Sequence, residues 1–322
     1  MTMTEQRPEP TGEAPAATPG RRIATRRPQL RMPRLPQRAA RAPRPSDDSL
    51  SVVSTAFTMV AIVCFWMLAQ MLVLGDVSQA RSQDLLYDEF RTQVASGTAP
   101  VGPIVPAGDP VALLTIPAIG LEQVVVEGTA SGDTLAGPGH QRNTVLPGQE
   151  GAAVVAGRAA TYGAPFGRLT ELSPGDTITA VIAQGTTTFE VLDVRHTGDP
   201  FPQPRADGVA RLTLVSAEGS GAFASLTPDE AVYVDAEATE AFPAPAGRPS
   251  AIPEPEAVMA TDPGALPLLA LLLALLLALT LAVIAARQRW STALVWVVAS
   301  PLAVALSWAT TDEVMRLLPN VM

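Results

Sequence analysis

Three stretches of this chain carry no charged residue: Val52–Leu74 (23 residues), Gly264–Ala286 (23) and Trp290–Thr311 (22). At about 1.5 Å of rise per residue, each is long enough as a helix to cross a hydrocarbon layer of roughly 30 Å. They predict three transmembrane helices, over residues 50–75, 264–286 and 290–311. The first run is longer than the apolar core of a signal peptide and has no small-x-small cleavage site before Asp76, so it reads as an uncleaved anchor. The segment 76–98 continues outward as a juxtamembrane helix, because Leu86, Phe90 and Val94 recur every four residues, and it stops at Gly97. Pro100, Pro103, Pro106 and Pro110 stiffen a linker over 99–110.

From Val111 the period changes from four to two. Short β segments are predicted at Val111–Ile116, Gln123–Glu127, Ala152–Ala156, Thr177–Ala183, Thr187–Val194, Arg211–Ala217 and Ala231–Asp235. Turn signals separate them, such as Leu146-Pro-Gly and Ser173-Pro-Gly-Asp, and small helical insertions fit only near Ser131–Leu135 and Pro165–Leu172. Many short strands with frequent turns predict a barrel or sandwich over 111–240. Residues 241–263 form a Pro/Ala linker back to the membrane.

Charge sets the expected topology. All 22 basic residues are Arg, and ten of them lie in residues 1–50 against five acidic residues. Residues 1–49 are an Arg/Pro-rich segment without apolar periodicity, predicted to be a disordered cytoplasmic tail, whose arginines read first as a topology signal in a solvated tail and alternatively as a contact to anionic membrane lipid. Arg287 and Arg289 mark 287–289 as a cytoplasmic loop. The span from Asp76 to Asp262 is then extracellular, as is the outer tail 312–322. That exterior segment holds nine Arg and 24 acidic residues, a net charge of −15, which argues against a nucleic-acid partner. The expected location is the plasma membrane, with the N-terminus inside. Trp290, Trp296 and Trp308 flank or lie within the third span; interfacial anchoring explains the span ends, and Trp296 fits either lipid or a neighbouring helix.

The only cysteine, Cys64, lies inside the first span, and there are two histidines, His140 and His196. The exterior segment therefore has no disulfide or thiol, and no metal site or cofactor is expected.

The β segment resembles the actinobacterial, class E-like sortases. Leu114-Thr-Ile-Pro-Ala-Ile-Gly-Leu121 is similar to their opening strand. Val125-Val-Glu-Gly-Thr129, Gly137-Pro-Gly-His140, Leu146-Pro-Gly148, Val154-Val-Ala-Gly157, Thr161-Tyr-Gly-Ala-Pro-Phe166 with Leu169–Asp176, and Leu212-Thr-Leu-Val-Ser-Ala217 follow in family order. The resemblance implies a mainly β fold, a sortase-like eight-stranded β-barrel. It also implies a cell-surface transpeptidase in which a Cys attacks the sorting signal, a His moves protons and an Arg steadies the developing charge.

The chain departs from that pattern at each role. Ala217 stands where the family has its Cys, and Arg158 where it has its His. A guanidinium stays protonated near neutrality and cannot cycle a proton. No basic residue lies between Arg211 and Arg248, and Phe223, Leu226, Val232 and Tyr233 occupy the stretch where the Arg is expected. Ser216 neighbours the nucleophile position, but consecutive strand residues point to opposite faces. His140 reads as a loop hydrogen-bonding residue, and His196 as an exposed residue after a strand.

The favoured reading is a pseudo-sortase without catalytic residues. Its peptide groove, involving Arg158, Tyr162, Phe166, Ser216, Ala217 and His140, would hold a sorting-signal-bearing surface protein or an active sortase. The alternative is a cysteine-independent transpeptidase or hydrolase with Ser216 as nucleophile. A third reading gives the C-terminal spans a structural role in assembly. No LPxTG-like motif precedes the apolar run at 264–286, so the chain is not read as a sortase substrate.

Overall fold

A computed structural model of the chain describes residues 45–219 and 228–322. Eight strands close into one barrel: β1 (Pro110–Ile116), β2 (Leu121–Glu127), β3 (Gly139–His140), β4 (Gly151–Ala156), β5 (Thr177–Ile182), β6 (Gly185–His196), β7 (Ala210–Glu218) and β8 (Glu230–Ala238). Around the barrel they run β1-β2-β3-β4-β7-β8-β6-β5. The pairs β2/β3 and β4/β7 are parallel and the others antiparallel. The predicted eight-stranded, mainly β architecture is the one observed. Period-two alternation builds it: Ile178, Ala180 and Ile182 of β5 point inward, as do Leu212 and Leu214 of β7, to join Leu114, Phe166, Phe189 and Val234 in the core. β3 was not among the predicted strands, since two residues cannot display an alternation. The expected helical insertions are single 3-10 turns at Asp133–Leu135 and Leu169–Glu171.

Helix α1 (Pro45–Ala69) runs into a π-helical turn (Gln70–Leu74) and then α2 (Gly75–Ser96), which Gly97 ends in a left-handed cap. α1 thus begins inside the segment expected to be a disordered tail; the rest of that expectation, residues 1–44, lies outside the described residues. Helix α3 (Leu266–Arg287) and helix α4 (Thr292–Arg316) follow the barrel.

Among the described residues two helices are long and apolar enough to cross a membrane, Pro263–Arg287 and Ala293–Arg316, where the sequence predicted three. The first apolar stretch yields a shorter apolar helix, Ala56–Ala69, because the π turn interrupts regular helix after Ala69. Within that turn Gln70 is buried and donates to Asp312 of α4 at 2.9 Å. α1 nonetheless packs on the other two: Met59 joins Val283, Val295 and Ala299, with Trp296 against them, and Trp66 lies 6.3 Å from Trp308.

The barrel is fastened to these helices by polar side chains as much as apolar ones. Gln83 of α2 accepts from Val124 N at 2.6 Å and donates to Val124 O and Ala136 O. One turn earlier, Gln79 donates to Gln123 at 2.6 Å, and Phe90 buries its ring on the same face. At the other end, α4 and the residues after it meet the loop following β2. Ser131 Oγ donates to Met315 O, Thr134 Oγ1 to Asn320 O, and Asn320 Nδ2 to Thr129 O and Ala257 O.

Candidate functional site

The parallel pairing of β4 with β7 brings Arg158 and Ala217 to the same end of the barrel. The register of the two strands runs from Gly151↔Ala210 to Ala156↔Val215. Beyond it, Gly157 N donates to Val215 O at 2.9 Å and Ser216 Oγ donates to Gly157 O at 3.2 Å. Arg158 and Ala217 therefore leave neighbouring strands at the same end of the barrel. Gly157 is required by packing, since a Cβ there would run into the Phe166 ring.

Arg158 is wholly buried. Its Nη2 donates to Ser131 O and Oγ at 2.8 and 2.9 Å, and its Nη1 to Thr161 Oγ1 at 3.1 Å and to the main-chain oxygen of Met322 at 3.4 Å. Its Nε has no partner among the described residues. Burial lowers its pKa to about 10, which still leaves it protonated at neutrality. Tyr162 stacks 5.8 Å from the guanidinium, has a positive φ of 50°, and donates its hydroxyl to Asp312 at 3.0 Å. Burial first, and then Asp312, raise the Tyr162 pKa far above its ordinary value.

Alternation separates Ser216 from Ala217, as the sequence implied. Val215 and Ala217 lie on the outer face, where Ala156 and Val321 close over them. A groove of about 190 Å³ opens beside Ala217, lined by Phe166, Leu169, Thr170, Ser216 and Val232 among others. Of the six residues proposed for a peptide groove, Phe166, Ser216 and Ala217 line this opening. Arg158 and Tyr162 are buried next to it, under the C-terminal segment. His140 is elsewhere: Nε2 donates to Val145 O at 2.8 Å and Nδ1 faces Glu127 at 2.7 Å. His196 is exposed and pairs with Glu218 at 3.1 Å. Neither imidazole contacts Ser216.

Phe223 and Leu226, in the stretch where an Arg was sought, lie outside the described residues. On the adjoining strands Arg195 of β6 reaches the same outer face, stacked 4.3 Å from Tyr233 and paired with Asp235 at 2.6 Å. Its sequence position, before β7, gave no hint of this, because β6 and β8 become neighbours only in the closed barrel.

Sequence reasoning did not foresee the cover of the site. Ala159 N donates to Val321 O at 3.0 Å, Thr161 Oγ1 donates to Met322 O at 2.8 Å, and Val321 and Met322 are buried. The only signal was a pair of polar residues, Asp312 and Asn320, at and beyond the end of an apolar run.

Residues 114–216 match the family model of the sortase domain. Over 83 residues the chain is 32% identical to Sortase D of Bacillus subtilis; the match takes in 26% of this chain and 40% of the length of that relative. Among solved structures, a Clostridium perfringens Sortase D5 transpeptidase overlays with a TM-score of 0.39 at 19% identity, covering 50% of this chain and 97% of that one. Sortase A of Corynebacterium diphtheriae gives 0.35 at 19%, covering 50% and 86%. A variant of sortase E from Streptomyces avermitilis gives 0.34 at 28%, covering 42% and 90%.

Proposed function

We propose that this chain is a membrane-anchored, non-catalytic sortase-like module that binds or assembles proteins at the cell surface. The observation that carries this reading is the state of the two divergent positions. Ala217 offers a methyl group, and the Arg158 guanidinium is consumed in holding Ser131, Thr161 and Met322. Such an arrangement supplies no nucleophile and no group that exchanges a proton near neutrality. A groove of about 190 Å³ beside Ala217, among the described residues, is where a partner's peptide would lie. Its partners would be a sorting-signal-bearing surface protein or an active sortase.

The anchor consists of α3 and α4, with α1 alongside as a third crossing. That placement is supported by its packing at Met59 and by the exposed Phe57, Val60, Phe65 and Leu68. With the Arg-rich N-terminus and the Arg287–Arg289 loop in the cytoplasm, the acidic barrel lies outside the plasma membrane.

Ser216 gains little support as a substitute nucleophile, since its hydroxyl is buried and donates to Gly157 O, with no imidazole beside it. A quenched fluorogenic sorting-signal peptide, incubated with the full chain in lipid nanodiscs and an amine acceptor, should show no turnover above the protein-free rate. Turnover that disappears in Ser216→Ala would contradict the proposal.

A further inference from the structure

Strand β6 loses a neighbour part-way along. It pairs with β5 from Gly185 to Glu190, but its pairing with β8 begins only at Glu190↔Glu237. β8 ends at Ala238, and the chain beyond it bonds elsewhere: Phe242 N donates to Gly148 O at 2.9 Å, and Glu150 N donates to Phe242 O at 2.8 Å. A cavity of about 370 Å³ lies beside β6 there, lined by Thr186, Thr188, Thr239, Glu240 and Phe242 among others. It sits at the end of the barrel opposite Arg158, since Ala210↔Ala238 and Ala217↔Ala231 mark opposite ends of the β7/β8 ladder.

The main chain of β6 is bare on this side. Val191 N donates to Asp176 O, and Gly175 N to Val191 O, so Val191 faces β5. By alternation Thr187 and Phe189 also face β5, while Thr186 and Thr188 turn their N–H and C=O groups the other way. No strand among the described residues pairs with them there. At about 3.3 Å per residue the bare stretch is about 10 Å long, room for three residues of a further strand. An unpaired edge of this kind is a template for strand addition. Charge narrows the choice of strand. Glu190 shares the exposed face of β6 with Thr186 and Thr188, and Glu240 is exposed in the opposite wall. Neither carboxylate has an ion pair among the described residues. Glu190 stands opposite Glu237, a like-charge rung whose other member is already held by Arg211.

We propose that the free edge of β6 binds an extended segment of a partner protein with basic side chains, added as a strand beside Thr186–Thr188. The segment continues the ladder that β8 leaves at Glu237, and its outward side chains lie between Glu190 and Glu240. A second copy of this chain would set the same acidic pair against itself, so the partner is a different, basic protein. The edge is separate from the groove beside Ala217 and does not rest on the non-catalytic reading.

The test uses the full chain in nanodiscs and a fluorescein-labelled hexapeptide of alternating valine and arginine. Anisotropy should show saturable binding. Glutamate in place of arginine in the probe should weaken it about tenfold or more, and Glu190→Gln with Glu240→Gln should weaken the arginine probe by about threefold to tenfold. N-methylation of the probe separates a ladder from charge attraction alone. Methyl groups on one alternate set of main-chain nitrogens should weaken binding at least about tenfold, and on the other set should leave it within about twofold, because only alternate N–H groups face β6. In the free chain the amides of Thr186 and Thr188 should exchange fast and those of Thr187 and Phe189 slowly. The arginine probe should slow the first pair and leave Ser216–Glu218 unchanged. No saturable binding, methylated sets that behave alike, or protection at Ser216–Glu218 instead of Thr186 and Thr188 overturns the proposal. Protection of Thr186 and Thr188 that grows with protein concentration in the absence of probe would assign the edge to a second copy and overturn it too. Cleavage of a sorting-signal peptide would sink the non-catalytic reading and leave this one standing.

Discussion

Arg158 shows how much a single buried side chain can hold together. A buried guanidinium is costly unless its donors are satisfied, and here Thr161 of its own loop, Ser131 of the loop after β2 and Met322 supply the acceptors. Arg158→Ala should cost about 3 kcal/mol or more, since it opens a cavity and orphans the Ser131 acceptors. Arg158→Met keeps most of the volume and removes a desolvated charge, so its cost should be less than half as large. Urea denaturation of the full chain in micelles, followed by amide exchange of the barrel strands β4 and β7, measures both. Equal losses would mean that the charge, not the volume, holds the region together. The expectation that 158 and 217 depart from the sortase pattern rested on sequence order alone. The partners of Arg158 were not legible there, because Ser131 and Met322 are brought to it from 27 and 164 residues away.

Elements here are joined by polar contacts that sequence periodicity does not reveal. The apolar stripe of α2 was readable, yet of its three residues only Phe90 is buried and Val94 is 40% exposed. Gln79 and Gln83 on the adjoining turns make the directed contacts to β2 and its loop. Gln83→Ala should cost about 1–3 kcal/mol of docking, the price of unpaired Val124 and Ala136 groups, and should speed amide exchange over residues 75–96 while leaving β5 and β6 protected. Unaltered exchange in α2 would assign the docking to Phe90 alone.

The linker before α3 carries a pH dependence. Burial raises the pKa of Asp133 and of Glu256 above their ordinary values of 3.8 and 4.5, and Arg142, 2.6 Å from Glu256, only partly offsets this. Carboxyls that hold protons more tightly when folded contribute stability at acidic pH. That contribution is lost as pH rises through their raised folded-state values. The denaturation midpoint should accordingly fall with rising pH across that window, and Asp133→Asn with Glu256→Gln should flatten the trend. A midpoint that rises through the window in the unmodified chain would contradict it.

At the scale of the whole molecule, the barrel and the apolar helices are independent patterns in the sequence, period two against unbroken hydrophobicity. Each was therefore predictable separately. Their union was not: the π turn at Gln70–Leu74, the Gln70–Asp312–Tyr162 contacts and the return of 319–322 to the barrel all depend on which strands end beside which helices. That union buries Arg158 between the barrel and residues that follow α4, and leaves a groove beside Ala217.

The central claim is binding without chemistry. Fluorescence anisotropy with a labelled sorting-signal peptide, titrated with the full chain, tests it directly when the recovered peptide is then weighed by mass spectrometry. The account predicts saturable binding and an intact peptide. Peptide fragments or amine adducts that accumulate only when the protein is present would contradict it.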